Sequence, residues 1–520
     1  MKQQRDALMT ALNSGFKNFF KNVSIPDENR DPLGRPVHYA HAWAEYRRQA
    51  REIQRRFGGE TGDVLGFGQD DCGQIGYVLS KDEDKPTTYL PFVIKSLVRK
   101  DVRQISAGGV HSLAVTADGD AYSWGTDDDG TLGRKNEADT AIDATTPSPV
   151  VGFRTVDGIN EDRQIVQVCA GASHSLFLSY SGNVYSSGMM KDMDSGKFRD
   201  IQTVEDDPAG YNEKPVHVAL MPKKVTFIST TTAFSAAILE DGTMVTWDCS
   251  KGFGNHGELA RTATMGAKKN KEGRPDLGQG FFYTTKQEDG DGNVRFVATP
   301  SLVREHFLTP KPPIWSFGSP QKKVINVACG SYHLLAVARE PDDAKLRVYS
   351  SGINNYGQLG QGDFGVETER HELTMIKALE DENIVKVACG EFHSLALNLI
   401  GTKVFAFGRA DYGQLGTKLF DFGECGATPE QVAFPSEERV IIADIDAGSS
   451  HSMAITIDDE VYSWGFGDGN TGFGDVQSDV VYPRKLTLTA KQINAKGRVL
   501  ATSGGGQHGL MLVKRYAFQT

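Results

Sequence analysis

Residues 383–416, NIVKVACGEFHSLALNLIGTKVFAFGRADYGQLG, state in full a unit that the rest of the chain repeats with losses. Short runs of β-branched and aromatic residues bounded by glycine favour strands over helix. The spacing predicts strands over Val385–Cys389, Ser394–Asn398 and Lys403–Phe407. A Gly390-x-x-His393 turn joins the first two, and a loop ending in Gly413-Gln414-Leu415-Gly416 follows the third. The turn recurs as AGGVHS (Ala107–Ser112), AGASHS (Ala170–Ser175), ACGSYH (Ala328–His333), AGSSHS (Ala447–Ser452) and SGGGQH (Ser503–His508). A degenerate copy, TTTAFS (Thr230–Ser235), has lost both glycine and histidine. Copies lie roughly 57–63 residues apart, with one gap stretched to about 99, and a fixed period of that size signals a repeat architecture.

Small sheets repeated radially hide their apolar faces and edges by closing into a ring. The last copy, Arg498–Lys514, has no outer strand after it, whereas Gly62–Gly76 (GDVLGFGQDDCGQIG) begins at the aromatic-x-Gly half of a unit. Joined, the fragments make one whole unit. The expected fold is therefore all-β: a seven-bladed β-propeller closed by strands from both ends of the chain in one shared blade. The expected domains are an N-terminal extension over 1–61, the propeller over 62–515 with an insertion at 254–313, and a tail over 516–520.

The formal charge of −11 disfavours a general nucleic-acid-binding role. The six cysteines show no CxxC spacing, which suits a reducing compartment better than a disulfide framework. No apolar run approaches the length of a membrane span. The first sixty residues hold eleven Lys/Arg against seven Asp/Glu, a charge of +4 that leaves −15 for the remainder. Leu8, Leu12, Phe16, Phe19 and Val23 fall on one helical face, and Trp43, Tyr46, Ala50, Ile53 and Phe57 on another. Residues Trp43, Tyr46, Ile53 and Phe57 are thus expected to form a docking helix, and a mitochondrial presequence is a second reading of Met1–Val23. The insertion carries Lys268, Lys269, Lys271 and Arg274, a candidate partner contact, followed by an acidic hairpin-like tip, Gln287–Asn293, and otherwise no obvious strands.

Equivalent histidines, His111, His174, His333, His393, His451 and His508, form a ring on one face. A propeller spaces such positions too widely for a shared ion, so the expectation is that each imidazole bonds backbone in its own or the adjacent blade, and that there is no metal site. Phosphate-loop, zinc-protease and nucleophile-elbow motifs are absent from the sequence, and no catalytic residue or cofactor is expected.

The Gly-x-x-His-Ser turns, the aromatic-x-Gly strand ends and the Gly-Gln-Leu-Gly closures at Gly357–Gly360 and Gly413–Gly416, with GQIG at Gly73–Gly76 and GTLG at Gly130–Gly133, together resemble the regulator of chromosome condensation family over Gly62–Lys514. That resemblance implies a guanine-nucleotide exchange factor for the small GTPase Ran, with one face on the GTPase and the other face and a basic tail on chromatin. It puts Met189–Arg199 at the family's wedge, with Lys191, Asp192, Asp194, Lys197 and Arg199 as candidate contacts, and His393 at a GTPase-facing position. Ala172 and Ala233 stand where the family has carboxylates, and losing charge-assisted contacts weighs against exchange on Ran itself. The first expectation is a protein-binding scaffold or adaptor, a monomer within a larger assembly. The second is an exchange factor for Ran or a related small GTPase, with weak chromatin association. The expected location is intracellular, in nucleus or cytoplasm, with the mitochondrion as a further option.

Overall fold

Each copy of the repeat folds as an antiparallel sheet whose first strand ends at the glycine–histidine turn. The computed structural model describes residues 60–76, 88–127, 130–134, 144–153, 162, 164–188, 212–217, 221–232, 234–248, 260, 284–288, 294–298, 322–340, 345–418, 425–435, 440–467, 470–474, 478–488 and 498–514. Blades one and two begin at Val102–Ala107 and Ile165–Ala170, and blade three at Val225–Thr230. Blades four, five and six begin at Lys323–Cys329, Ile384–Cys389 and Ile442–Ala447. Blade seven unites Arg498–Gly504 and His508–Lys514 with Asp63–Gly68 and Thr88–Val93. The seven-bladed propeller closed by both chain ends is therefore the observed fold, with Asp63 opposite Val513 and Gly68 opposite His508. Glu60 adds ion pairs to Arg498 and Lys514 across the same joint.

In blade five the observed strands are Ile384–Cys389, His393–Asn398 and Val404–Arg409, within two residues of those read from sequence. Its fourth strand, Cys425–Gln431, was not anticipated, because CGATPEQ is polar, holds Pro429 and lies on the outer edge where a missing N–H is tolerated. Blade three has three strands among the described residues. The insertion, read as lacking obvious strands apart from its tip, carries a hairpin of Thr284–Glu288 and Val294–Ala298. Residues 1–59 of the N-terminal extension, including Trp43, Tyr46, Ile53 and Phe57, lie outside the described residues, as do Lys268, Lys269, Lys271, Arg274 and the tail over 516–520.

The core is a set of seams rather than one centre. Each main apolar cluster draws on two neighbouring blades: Val64, Leu510 and Leu512 of blade seven meet Ile105, Tyr122 and Trp124 of blade one, and Leu395 and Leu397 of blade five meet Ile445 and Trp464 of blade six. Inner strands add polar clamps. Every one of them has a register shift after its first or second residue, and the residue beyond that shift reaches across a seam in several blades. Gln104 receives the Val168 N–H at 2.8 Å and donates to the Val168 carbonyl at 2.9 Å. Gln167 grips Ile228 in the same two ways, and Lys386 pairs with Asp444.

The ring histidines provide a second fastening, and here the structure corrects the sequence reading. The Nε2 of His111, His333 and His393 lies 2.9 Å from the hydroxyl of Ser175, Ser394 and Ser452 in the next blade, and His508 Nε2 lies 2.8 Å from Ser112. The partner is thus a side-chain hydroxyl, not backbone. Each serine donates its hydrogen to the carbonyl of Thr131, Gln358, Gln414 or Gln74 in the glycine-closed loop of the preceding blade. A hydroxyl has one hydrogen, so Nε2 must be the donor to it, which fixes the neutral Nε2–H tautomer. The leading glycine leaves room for the ring: a Cβ on Gly390 would lie 2.2 Å from His393 Cε1. His174 uses Thr230 of blade three instead, at 2.6 Å. Between blades three and four, Phe234 and Leu334 replace histidine and serine with an apolar contact. At the six–seven seam Gly509 stands in the serine position, and neither ring nitrogen of His451 has a hydrogen-bond partner.

Ser452→Ala is expected to lower stability by about 1–3 kcal/mol, by orphaning His393 Nε2–H in a dry seam, read as a drop in urea midpoint at unchanged m-value. Gly509→Ser restores the repeat pattern on paper, but its Cβ would sit 2.2 Å from Phe67 Cζ. It is expected to lower the midpoint as well, and a rise would show that His451 had gained its missing partner.

Candidate functional site

The first residue of each second strand pairs at the end of the third, as His393 does with Gly408 and His174 with Gly188. The glycine–histidine turns and the loops after the third strands therefore share one face. At its centre a channel of about 630 Å³ is lined by the inner strands, including Gln104, Gln167, Lys386, Asp444 and Asp446. Burial pushes the Asp446 carboxyl up to about 6.

Most turns on this face are small. The two residues before the histidine are Gly109 and Val110 in blade one, Ala172 and Ser173 in blade two, and Ser449 and Ser450 in blade six. Blades four and five depart from this with Tyr332, Glu391 and Phe392. Tyr332 stacks on Phe392 with ring centroids 5.6 Å apart, and Tyr356 meets Phe392 edge-on at 5.0 Å. Tyr412 meets Phe466 of blade six at 4.8 Å. The Arg409 guanidinium lies 5.2 Å from the Tyr356 ring centroid, 5.5 Å from that of Tyr412 and 6.0 Å from that of Phe392, and its Nε donates to Asp411. Burial works against the Arg409 charge, but Asp411 more than offsets it and holds the pKa above its ordinary value. All of these side chains are half-buried, so the rings form a continuous aromatic strip across blades four to six. Burial raises the Glu391 pKa, with Arg409 opposing.

Next to the strip, the loop after Gly360 presents Phe364 and Val366 at 57% and 81% exposure. It is pinned from beneath. Buried Asn354 donates to the Asp363 carbonyl at 2.8 Å and to Thr368 Oγ1 at 3.1 Å, and Arg370 pairs with Asp363.

Lys191, Asp192, Asp194, Lys197, Arg199 and Ala233 lie outside the described residues. The strand before that segment, Val184–Gly188, ends on this face, and Ala172 is half-buried there. His393, read by resemblance as GTPase-facing, is fully buried and engaged with Ser452, like the other ring histidines, so its imidazole is not presented to a partner. The strip itself went unread. Its signal was the pair of aromatic residues, Tyr332 and Phe392, at a turn position where the other described copies hold Val110, Ser173, Ser450 and Gln507. Among the described residues, no three His, Cys, Asp or Glu side chains gather as a metal site.

The sequence profile of the RCC1-like domain matches residues 63–511. The chain belongs to the RCC1-like family. It is 29% identical over 462 residues to the regulator of chromosome condensation of Mus musculus, covering 88% of this chain and 92% of that one. It is 26% identical over 426 residues to the ultraviolet-B receptor UVR8 of Arabidopsis thaliana, covering 80% and 76%. The crystal structure of Prp20p from Saccharomyces cerevisiae, described with its binding to Gsp1p and histones, superposes with a TM-score of 0.69 at 20% identity, over 90% of this chain and 96% of that one. Family membership fixes the propeller without fixing a single activity.

The ring histidines make stability acid-sensitive. Burial lowers His111, His333, His393 and His508 to about 3 and His451 to about 4. Because these values lie below the unfolded histidine value of about 6.5, the stabilisation is complete above that pH and is lost as pH falls toward the folded values. Each such histidine contributes a slope of about 1.4 kcal/mol per pH unit. Asp446 acts in the opposite sense, as one group against five. The melting temperature is expected to be level above pH 7 and to fall steeply from pH 6 to 5. A flat profile there would contradict neutral, buried rings.

Proposed function

We propose that this RCC1-like propeller is a protein-binding scaffold or adaptor that grips its partner through the glycine–histidine face. The observation that carries this is the aromatic strip with Arg409 on blades four to six. At the position of Tyr332 and Phe392 the other described blades hold Val110, Ser173, Ser450 and Gln507, so the fold does not require these rings. Rigid aromatic and arginine side chains are also what binding hot spots are made of. The reading assigns no covalent chemistry and no cofactor, and places the chain inside the cell as one subunit of an assembly, in nucleus or cytoplasm.

Nucleotide exchange on a Ran-like GTPase is the second reading. It is favoured by the end of the strand Val184–Gly188 on the same face, directly before Met189–Arg199 in the sequence, and by relatives named for chromosome condensation and for Gsp1p and histone binding. In that case Lys191, Asp192, Asp194, Lys197 and Arg199 would compete with the nucleotide for its binding loops, an effect of differential affinity rather than bond chemistry. The basic insertion residues Lys268, Lys269, Lys271 and Arg274 and the extension with Trp43, Tyr46, Ile53 and Phe57 are proposed as additional partner contacts, and weak chromatin association belongs to this second reading.

Release of fluorescent GDP from Ran separates the two. The scaffold reading expects release unchanged by the full chain. Acceleration of about a hundredfold, roughly 2.7 kcal/mol off the barrier, would replace it with exchange. In parallel, Phe392→Ala is expected to lose co-purifying proteins that Tyr482→Ala, a rim substitution at a half-exposed tyrosine, retains.

A further inference from the structure

Glu391 is out of place in its own repeat. At the first position after the turn glycine the other described copies carry Gly109, Ala172, Thr232, Ser331, Ser449 and Gly506, none of them charged. Only its backbone serves the fold there, with the N–H donating to Ser449 O at 3.2 Å. Among the described residues its carboxylate makes no hydrogen bond or ion pair, while Arg409, the nearest cation acting on it, is already paired with Asp411. A half-buried carboxylate without a partner costs free energy that the fold does not recover. The next residue, Phe392, stacks with Tyr332 and meets Tyr356 edge-on, so the carboxylate adjoins an aromatic patch whose own cation is Arg409. On the same face, the loop pinned by Asn354 holds Phe364 and Val366 out to solvent without letting them collapse. Ordering such a loop in advance lowers the entropy lost on binding.

Resting on the binding-face reading above, we infer that the blade four–five sector receives a basic, apolar protein segment: an arginine or lysine paired with Glu391, with neighbouring aliphatic side chains on Phe392, Phe364 and Val366. Charge complementarity supports this occupant. Arg409 is already paired with Asp411 and its pull on Glu391 is outweighed by burial, so an incoming cation finds that carboxylate underpaired, and the chain as a whole carries −11.

The test uses the full chain and a short fluorescein-labelled peptide of alternating arginine and leucine, read by polarisation, with alternating glutamate and leucine as comparison. Saturable binding of the arginine peptide is expected. Glu391→Gln should weaken it about tenfold, as loss of a charge-assisted contact does, and Phe392→Ala by a similar factor. Asp381→Asn, which removes an exposed carboxylate from the opposite face, should leave it unchanged. Because Glu391→Gln alters no packing, it keeps the test meaningful if Phe392→Ala folds poorly. Absence of saturable binding, equal binding of the glutamate peptide, or equal losses in Glu391→Gln and Asp381→Asn would overturn the inference. If the peptide fails while co-purifying proteins still depend on Phe392, the assigned partner chemistry is wrong and the binding face stands.

Discussion

Everything in this molecule depends on holding separate sheets together across their seams. Every main apolar cluster is assembled from two neighbouring blades, and blade six alone adds a small one of its own, Ile441, Ala443 and Ile457. The histidine–serine–carbonyl bridge answers this by tying three pieces at one point: a turn of one blade, the second strand of the next, and the loop that returns from the first. Because the serine hydrogen is spent on the carbonyl, the histidine must donate from Nε2, and burial keeps the ring neutral. A single three-part contact thus fixes spacing, tautomer and loop path together.

The bridge is not uniform around the ring, and its exceptions fall where the repeat is irregular for another reason. Blade three has lost its histidine, and the seam to blade four is closed by Phe234 and Leu334, next to the point where the long insertion leaves the ring. The six–seven seam gives up its serine because Phe67, on the strand contributed by the other end of the chain, fills the space beside Gly509. Across that seam Arg498 of blade seven pairs with Asp459 of blade six, and the Gly504 N–H donates to Asp446.

With seams doing the structural work, the exposed turn positions are released from it. Six turns differ widely in side chain while keeping the same hydrogen bonds, for example Gly390 N–H and Gly448 N–H to the carbonyls of His393 and His451. That freedom allows Tyr332, Phe392 and Glu391 to be placed by what they contact outside the fold. It also separates two kinds of histidine argument: identical positions in every blade argue for fastening, whereas a residue type confined to one sector argues for recognition.

The sequence by itself determined the repeat, the number of blades and the sharing of one blade between both ends, because period, glycine punctuation and strand composition are local and survive in each copy. It also placed most of strands one to three, but not the proline-bearing fourth strands, whose polar edge composition carries little signal. It identified the ring histidines as structural while assigning them the wrong partner, since His393 and Ser452 are 59 residues apart and nothing local ties them. Only the tertiary structure decided that His393 is buried, that Tyr356 from one blade lies on Phe392 and Arg409 of the next, and that the resulting strip faces outward. Those are contacts between blades, and a pattern read along one strand has no access to what the neighbouring strand brings against it.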